Sequence, residues 1–537
     1  MRIDTRPALA FMTAVLTTAV VGTIVQTQIS FAYLSAIGAP TRSGLLAAAT
    51  AQDILTFGPV MGAIAGATFL LAFPAGTFVV RHADLKWRAA AFALAGAIGL
   101  WTAFWIMGFV TPMPALVAAV RDPLGHLGMA LTGGVGGVVY AYLTRRSLPP
   151  LRGSPRRVVI ASGGLLATAW TVYASVRPGD VVIPHADPSR FTVETIATDL
   201  VHPWAIALLP DGRRLISERA GRLITISADG TLSSISLAGL PAIYRGGGNG
   251  LMDVVLDPDF AANGLIYLTM SYGTPSANGT RLVRARLDRD RIADVRTLFE
   301  STPKAADGNN GGRVAFLQDG TLILTLGDGL KRREEAQNPA NHLGKLIRLD
   351  RDGNPPSDNP FVGVSGTAPE IYSLGHRNVQ GAAVDPVDGS LLISEHGPRG
   401  GDEINLIRKG ANYGWPIATG GLDYSFARVT PFRSLSDLEP PLVEWTPSIA
   451  PAGLAIYRGT SFPEWQGDLL VPALRERTVR RVRREAGRIF SQELLLADKK
   501  ERMRDIKVSS DGLIYVLTDG PKAQLLRLVP SATRNRS

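Results

Sequence analysis

The spacing of apolar positions divides the chain in two. Up to about residue 177 they come in long unbroken runs, at 8–25, 57–80, 89–110, 124–143 and 158–176, and none of the five contains Asp, Glu, Lys or Arg. About 20 apolar residues at 1.5 Å rise cross a ~30 Å hydrocarbon core. The pattern therefore predicts an all-α membrane domain of five transmembrane helices over 1–177. The first run, behind Arg2 and Arg6, also fits a cleaved signal peptide, but the loop charges are best explained if it is retained. Residues 178–190, with Pro178, Gly179, Pro184 and Pro188, read as a linker.

From Phe191 the period changes. A turn with Asp and Gly is followed by a short apolar strand, and the phrase returns six times, about every 57 residues. It stands at Pro210-Asp211-Gly212, Asp257-Pro258-Asp259, Asp319-Gly320, Asp388-Gly389, Gly467-Asp468 and Asp511-Gly512. Such turns between short strands mean antiparallel hairpins. Six similar multi-strand units predict an all-β six-bladed propeller over 191–531, with 532–537 as a tail. A tandem of β-sandwiches would not need six similar units.

Charge sharpens this division. The net charge is +10, but residues 1–177 carry +9 of it. Ten basic residues fall before the first run, between the second and third, and between the fourth and fifth, while the alternate loops carry only Arg42 and Arg121. The positive-inside rule then sets the N-terminus in the cytoplasm of a cell (inner) membrane protein and the propeller on the periplasmic, extracytoplasmic side. The excess reports topology rather than an acidic partner. Nucleic acid is a poor fit, since the Arg480, Arg481, Arg483, Arg484 run has no aromatic residues beside it for stacking bases. That run reads as surface charge. Zero cysteines exclude disulfides, thiolate metal sites and thiol nucleophiles.

Small residues recur at Gly58, Gly62 and Gly66 and at Gly133 and Gly137, a spacing for close helix packing inside the bundle rather than a dimer face. Gln26, Gln28 and His126 read as interfacial residues near span ends.

Candidate chemistry concentrates in the propeller loops. Glu395-His396-Gly397-Pro398 leads to Asp402-Glu403 and on to Asn412-Tyr413-Gly414-Trp415-Pro416, with Gly375-His376-Arg377-Asn378 just before. Backbone carbonyls and carboxylates suit a hard cation such as Ca2+. Asp402-Glu403 reads equally well as a solvated turn. Arg475, Arg502 and Arg504 fit a polycarboxylate or phosphate.

Together with Gly311-Gly312-Arg313, His342-Leu343-Gly344-Lys345, Ser448-Ile449-Ala450-Pro451 and Arg502-Met503-Arg504-Asp505, these phrases resemble, in order, the glucose/sorbosone dehydrogenase family. Its members are soluble glucose and aldose sugar dehydrogenases dependent on pyrroloquinoline quinone (PQQ). The resemblance implies an oxidoreductase that transfers hydride from an aldose or related alcohol to PQQ. It implies that Arg377 and Asn378 hold the quinone, and that Ser448, Arg475, Arg502 and Arg504 bind the cofactor. It further implies that Gly397 and Pro398 ligate a Ca2+ at PQQ, and that Glu403 and Tyr413 ligate a second Ca2+. Electrons would leave to a membrane quinone or a soluble carrier. The chain departs from the family at two points. Asn309 stands where the family has its catalytic His, so His376 or His396 would have to substitute as base. Gly248 stands where the family has a Gln, unless Asn249 takes its role. The alternative is a catalytically weakened or silent propeller that binds PQQ or a sugar-like ligand.

Overall fold

The uncharged runs become helices, and the Asp-Gly phrases become the first turn of each blade. A computed structural model describes residues 6–40, 42–82, 87–110, 117–145, 183–485 and 487–531. Contacts group the chain into two compact units, Met1–Gly179 with Gly421–Phe432, and Asp180–Gly420 with Arg433–Ser537.

The first unit contains α1 (Arg6–Ala36), α2 (Ser43–Thr56), α3 (Gly58–His82), α4 (Arg88–Val110) and α5 (Pro123–Leu143). Among the described residues four helices, α1, α3, α4 and α5, are long and apolar enough to cross a membrane. That is one fewer than the five expected, and the remaining one, at 158–176, lies outside the described residues, as do most of the linker and the tail. α1 runs eleven residues past its expected end. Its polar stretch is satisfied inside the bundle instead of marking an interface. Gln26 is buried and accepts from Ala119 N at 2.9 Å, and Thr27 donates to Asp53 at 2.8 Å. The glycines serve close packing within the bundle. A Cβ on Gly133 or Gly137 would collide with backbone carbonyls of α4, and Gly62 lies against Ala19 of α1. In Gly421–Phe432, Ala427 is buried with Phe57, Met61 and Leu100, and Arg428 N donates to Asp53 at 3.3 Å.

The second unit is a ring of six four-stranded antiparallel sheets. Blade one is β2 (Pro203–Leu208), β3 (Arg214–Glu218), β4 (Arg222–Ile226) and β5 (Leu232–Ile235). Blade two is β6 (Leu251–Leu256), β7 (Leu265–Thr274), β8 (Ala277–Asp288) and β9 (Arg291–Glu300). Blade three is β10 (Val314–Phe316), β11 (Leu322–Thr325), β12 (Lys345–Leu349) and β13 (Ile371–Leu374). Blade four is β14 (Val379–Val384), β15 (Leu391–Glu395), β16 (Asp402–Leu406) and β17 (Val443–Trp445). Blade five is β18 (Ala455–Ile456), β19 (Leu469–Ala473), β20 (Thr478–Glu485) and β21 (Arg488–Leu495). Blade six takes β22 (Arg502–Val508), β23 (Ile514–Asp519) and β24 (Ala523–Pro530), and is completed by β1 (Phe191–Leu200), which pairs with β24 from Phe191↔Pro530 to Leu200↔Ala523.

The first strands of successive blades pack on one another and line the axis. All six Asp-Gly phrases fall between the first and second strand of a blade, hence at one end of the ring. Because the strands alternate in direction, the links from second to third strand, and from each blade to the next, emerge at the opposite end. Arg313 sits at the centre. It pairs with Asp253 at 3.2 Å and Asp505 at 3.1 Å, lies 4.1 Å over the Trp204 ring, and donates to Gln380 O at 2.6 Å. One buried guanidinium thus ties together residues of five blades.

Candidate functional site

Almost every residue singled out from the sequence lies at the end away from the Asp-Gly turns. Asn309 is in the β9–β10 link, Arg377 in β13–β14, Gly397 and Pro398 in β15–β16, Ser448 in β17–β18 and Arg475 in β19–β20. Glu403 begins its end of β16, and Arg502 and Arg504 open β22. Tyr413 reaches this end because the β16–β17 connection doubles back beside β13, where Asn412 bridges Leu374.

On one side of the site the residues form a small pocket lined by Arg377, Glu395, His396, Gly397, Glu403 and Tyr413. Arg377 is buried and donates to His396 O at 3.0 Å and to Gly397 O at 2.8 Å. The carbonyl expected to face a cation therefore accepts from a guanidinium here. Burial, and then the neighbouring charge of Glu395, push the Glu403 pKa well above the ordinary carboxylate value. Its hydrogen bond from Asn405 is 3.1 Å, and among the described residues no Lys, Arg or His forms an ion pair with it. Two neighbouring carboxylates, Glu395 held by His376 and Glu403 without a cationic partner, fit a divalent ion. Among the described residues no group of three His, Asp or Glu side chains converges. A cation here would rely on backbone carbonyls with few carboxylates, as suits Ca2+.

On the other side is a cluster of guanidiniums. Arg502 pairs with Asp519 at 3.0 Å and Arg504 pairs with the same carboxylate at 3.4 Å, while Arg504 Nε is buried without a partner. Burial, then the neighbouring cations Arg313, Arg502 and Arg219, lower the Arg504 pKa to about 10. Burial works to raise the Asp519 pKa, yet Arg504, Arg502 and Arg219 hold it below the ordinary range. Exposed Arg475 donates to Ser448 O at 3.2 Å. Several cations around one carboxylate, with an orphaned buried N–H, fit a polyanion. Ser448 Oγ itself donates to Asp402 at 2.7 Å, and Asp402 also accepts from Ile449 N, Ala450 N and Gly397 N. The Asp402 carboxylate fixes the loop that carries Ser448.

Neither candidate substitute base is placed for the task. His376 is fully buried between Glu395 (3.0 Å) and Ser373 (2.9 Å) and stacks on Tyr413 at 4.7 Å. His396 is held neutral. Burial, then Arg377 and Arg504, push its pKa down to about 3, and Nε2 donates to Pro451 O at 2.7 Å. Asn309 turns its amide inward and donates to Asp328 at 2.8 Å, while Trp415 Nε1 donates to the other oxygen at 2.9 Å. Burial raises the Asp328 pKa against the charge of Arg377. Asn378 Oδ1 accepts from Gly311 N at 3.3 Å. Asn249 is buried and bonded to Ser271 and Asn310.

Asp328, Asp519 and Arg219 escaped the sequence reading, and Asp402, weighed there as part of a solvated turn, is buried. Asp328, in Gly327-Asp328-Gly329, carried the one usable signal, an acid between glycines at a strand end.

Comparison with known proteins adds the following. A profile of the Glucose / Sorbosone dehydrogenase family matches residues 200–527. The chain is 40% identical over 352 residues to the aldose sugar dehydrogenase YliI of Escherichia coli K12, covering 64% of this chain and 94% of that protein. The fold is similar to the apo form of the soluble aldose sugar dehydrogenase from Escherichia coli, with a TM-score of 0.61 and 39% identity over 63% of this chain and 99% of that one. It is also similar to the PQQ-bound aldose sugar dehydrogenase of Streptomyces coelicolor, with a TM-score of 0.53 and 28% identity over 64% and 100% of the two chains.

Proposed function

The chain belongs to the glucose/sorbosone dehydrogenase family, and from that premise we propose that it is a PQQ- and Ca2+-dependent dehydrogenase of an aldose or related alcohol. The observation that carries this reading is the pair Arg502 and Arg504 on Asp519, with Arg475 beside them where Arg502 donates to Leu474 O, a shape of charge that suits a polycarboxylate. PQQ, when bound, would take up the hydride from the carbinol carbon.

The chain's own residues supply the remaining chemistry. Arg502 and Arg504 would hold cofactor carboxylates, with Arg475 and Ser448 closing the rim. Arg377 and Asn378 would stabilise negative charge developing on a quinone oxygen. The carbonyls of Gly397 and Pro398 would ligate one Ca2+, and Glu403 with Tyr413 a second, relieving the repulsion of the buried carboxylates. The hydroxyl proton of the substrate has no imidazole to go to. An amide such as Asn309 does not hold a proton near neutral pH, and the carboxylate behind it is Asp328.

Four apolar helices support a membrane-anchored protein. Our reading sets the propeller on the extracytoplasmic side, with electrons passing to a membrane quinone or a soluble carrier. A second reading is favoured by Asn309 and by the two committed histidines: a propeller that binds PQQ or a sugar-like ligand without turnover. The test is to add PQQ and Ca2+ to the purified full chain and follow dye reduction over a panel of sugars. The dehydrogenase reading expects both cofactor uptake and reduction with some aldose. Uptake without reduction by any sugar supports the silent binder instead.

A further inference from the structure

The end of the ring that carries the cofactor arginines also carries two cations for which the proposed chemistry has no use. Arg219 stands in the β3–β4 turn and Arg245 in the β5–β6 link, so both emerge at the end away from the Asp-Gly turns. Many other guanidiniums of the propeller are engaged, Arg214 with Tyr515, Arg281 with Glu300, Arg348 with Asp319 and Arg481 with Asp468. Among the described residues, the side chains of Arg219 and Arg245 make no hydrogen bond or ion pair. Arg219 is half-buried and Arg245 exposed.

Their positions converge. The Arg219 side chain lies against Gly250, and its charge acts on both Arg504 and Asp519. The Arg245 guanidinium lies over Gly221, two residues beyond Arg219, where a Cβ would come within 2.9 Å of it. Beside them runs Gly246-Gly247-Gly248, and a Cβ on Gly248 would meet no atom within 4 Å. Gly246 and Gly247 pack against Tyr244 and Asp307, so the open space lies at Gly248, flanked by two unpartnered guanidiniums next to the cation cluster. The cofactor does not require them. Arg475, Arg502 and Arg504 with a divalent cation, offset by Asp519, already exceed the three negative charges of PQQ.

We propose that Arg219 and Arg245 form an anion subsite, and that the substrate is an acidic sugar carrying a carboxylate or phosphate away from the carbon that is oxidised. This rests on the dehydrogenase reading for the identity of the substrate as a sugar. A guanidinium fork receives either group with two parallel hydrogen bonds, and the open space at Gly248 leaves room for it.

The test is calorimetric titration of the full chain in detergent, without cofactor, with D-glucuronate, D-glucose 6-phosphate and neutral D-glucose. One of the two acids should bind at least about tenfold more tightly than glucose, as expected of a charge-assisted pair. Which acid leads tells carboxylate from phosphate. Arg219→Gln and Arg245→Gln should each erode the preference, Arg219→Lys should keep part of it, and roughly 0.5 M salt should weaken it. Equal or absent binding of the three sugars overturns the proposal, as does a preference that survives both Gln substitutions together. PQQ uptake, read by absorbance on the same proteins, separates the two ideas. Arg219→Gln losing PQQ with its sugar preference intact would assign Arg219 to the cofactor and overturn the subsite. A wild-type chain that takes up no PQQ would sink the dehydrogenase reading, and the sugar titration would still decide the subsite.

Discussion

At Asn309 the backbone is already left-handed, with φ +44°, a conformation that Asn and His both adopt more readily than most residues. Asn309→His therefore asks for no change of backbone and sets an imidazole beside Asp328. If proton removal limits the reaction, sugar oxidation by the PQQ- and Ca2+-loaded chain should rise by roughly 10²–10⁴-fold. An unchanged kcat would mean that the proton leaves by another route. A second residue makes a prediction about pH. Lys345 is fully buried and gives its protons to Glu335 O at 2.8 Å and Leu343 O at 2.7 Å, and burial lowers its pKa from 10.5 to about 7. Between those values the unfolded chain holds a proton that the native chain has released, so stability rises with pH across that window. Relative to Lys345→Met, the wild-type Tm should gain from pH 7 to pH 10. A difference independent of pH would show that Lys345 keeps its proton. At this scale the motif residues were legible in the sequence, but their partners were not. Asp328 meets Asn309 from 19 residues away, and Asp402 meets Ser448 from 46. Such pairs exist only once the ring has closed.

Blades owe their relative positions to a few inner side chains, and Arg313 is the chief of them. Its side chain is 4% exposed and those of Asp253 and Asp505 are 2% and 1% exposed. Arg313→Met would strand two buried carboxylates, a loss on the order of 3–5 kcal/mol. Denaturant unfolding should show it, and adding Asp253→Asn should recover part. If Arg313→Met unfolds like the wild type, the hub is not what holds the inner strands together. The six turns were readable because a tight hairpin needs left-handed residues, and Gly212, Gly320, Gly389 and Gly512 all have φ between +74° and +85°. α2 was not readable, because its 14 residues are too few for a span and Asp53 interrupts its apolar pattern. The true end of α1 was hidden for a related reason: Gln26 and Thr27 look like a boundary until Ala119 and Asp53 supply their partners.

For the molecule as a whole, the loop charges make a claim about sidedness. Alkaline phosphatase fused after Ser537 should be active, and a fluorescent reporter fused there should stay dark. Deleting 158–176 should invert both signals. Reporters that give the opposite result in the intact chain would place the propeller in the cytoplasm. The closing sheet has a consequence for how such a molecule is made. β1 finds its partner only in β24, more than 300 residues later. On the proposed topology, a chain synthesised from its N-terminus and threaded through a translocation channel would carry β1 as an open edge until β24 has crossed. Local hairpins form in microseconds, but this one contact waits on the whole transit. On the proposed topology, the ring can close only after β24 has crossed the membrane.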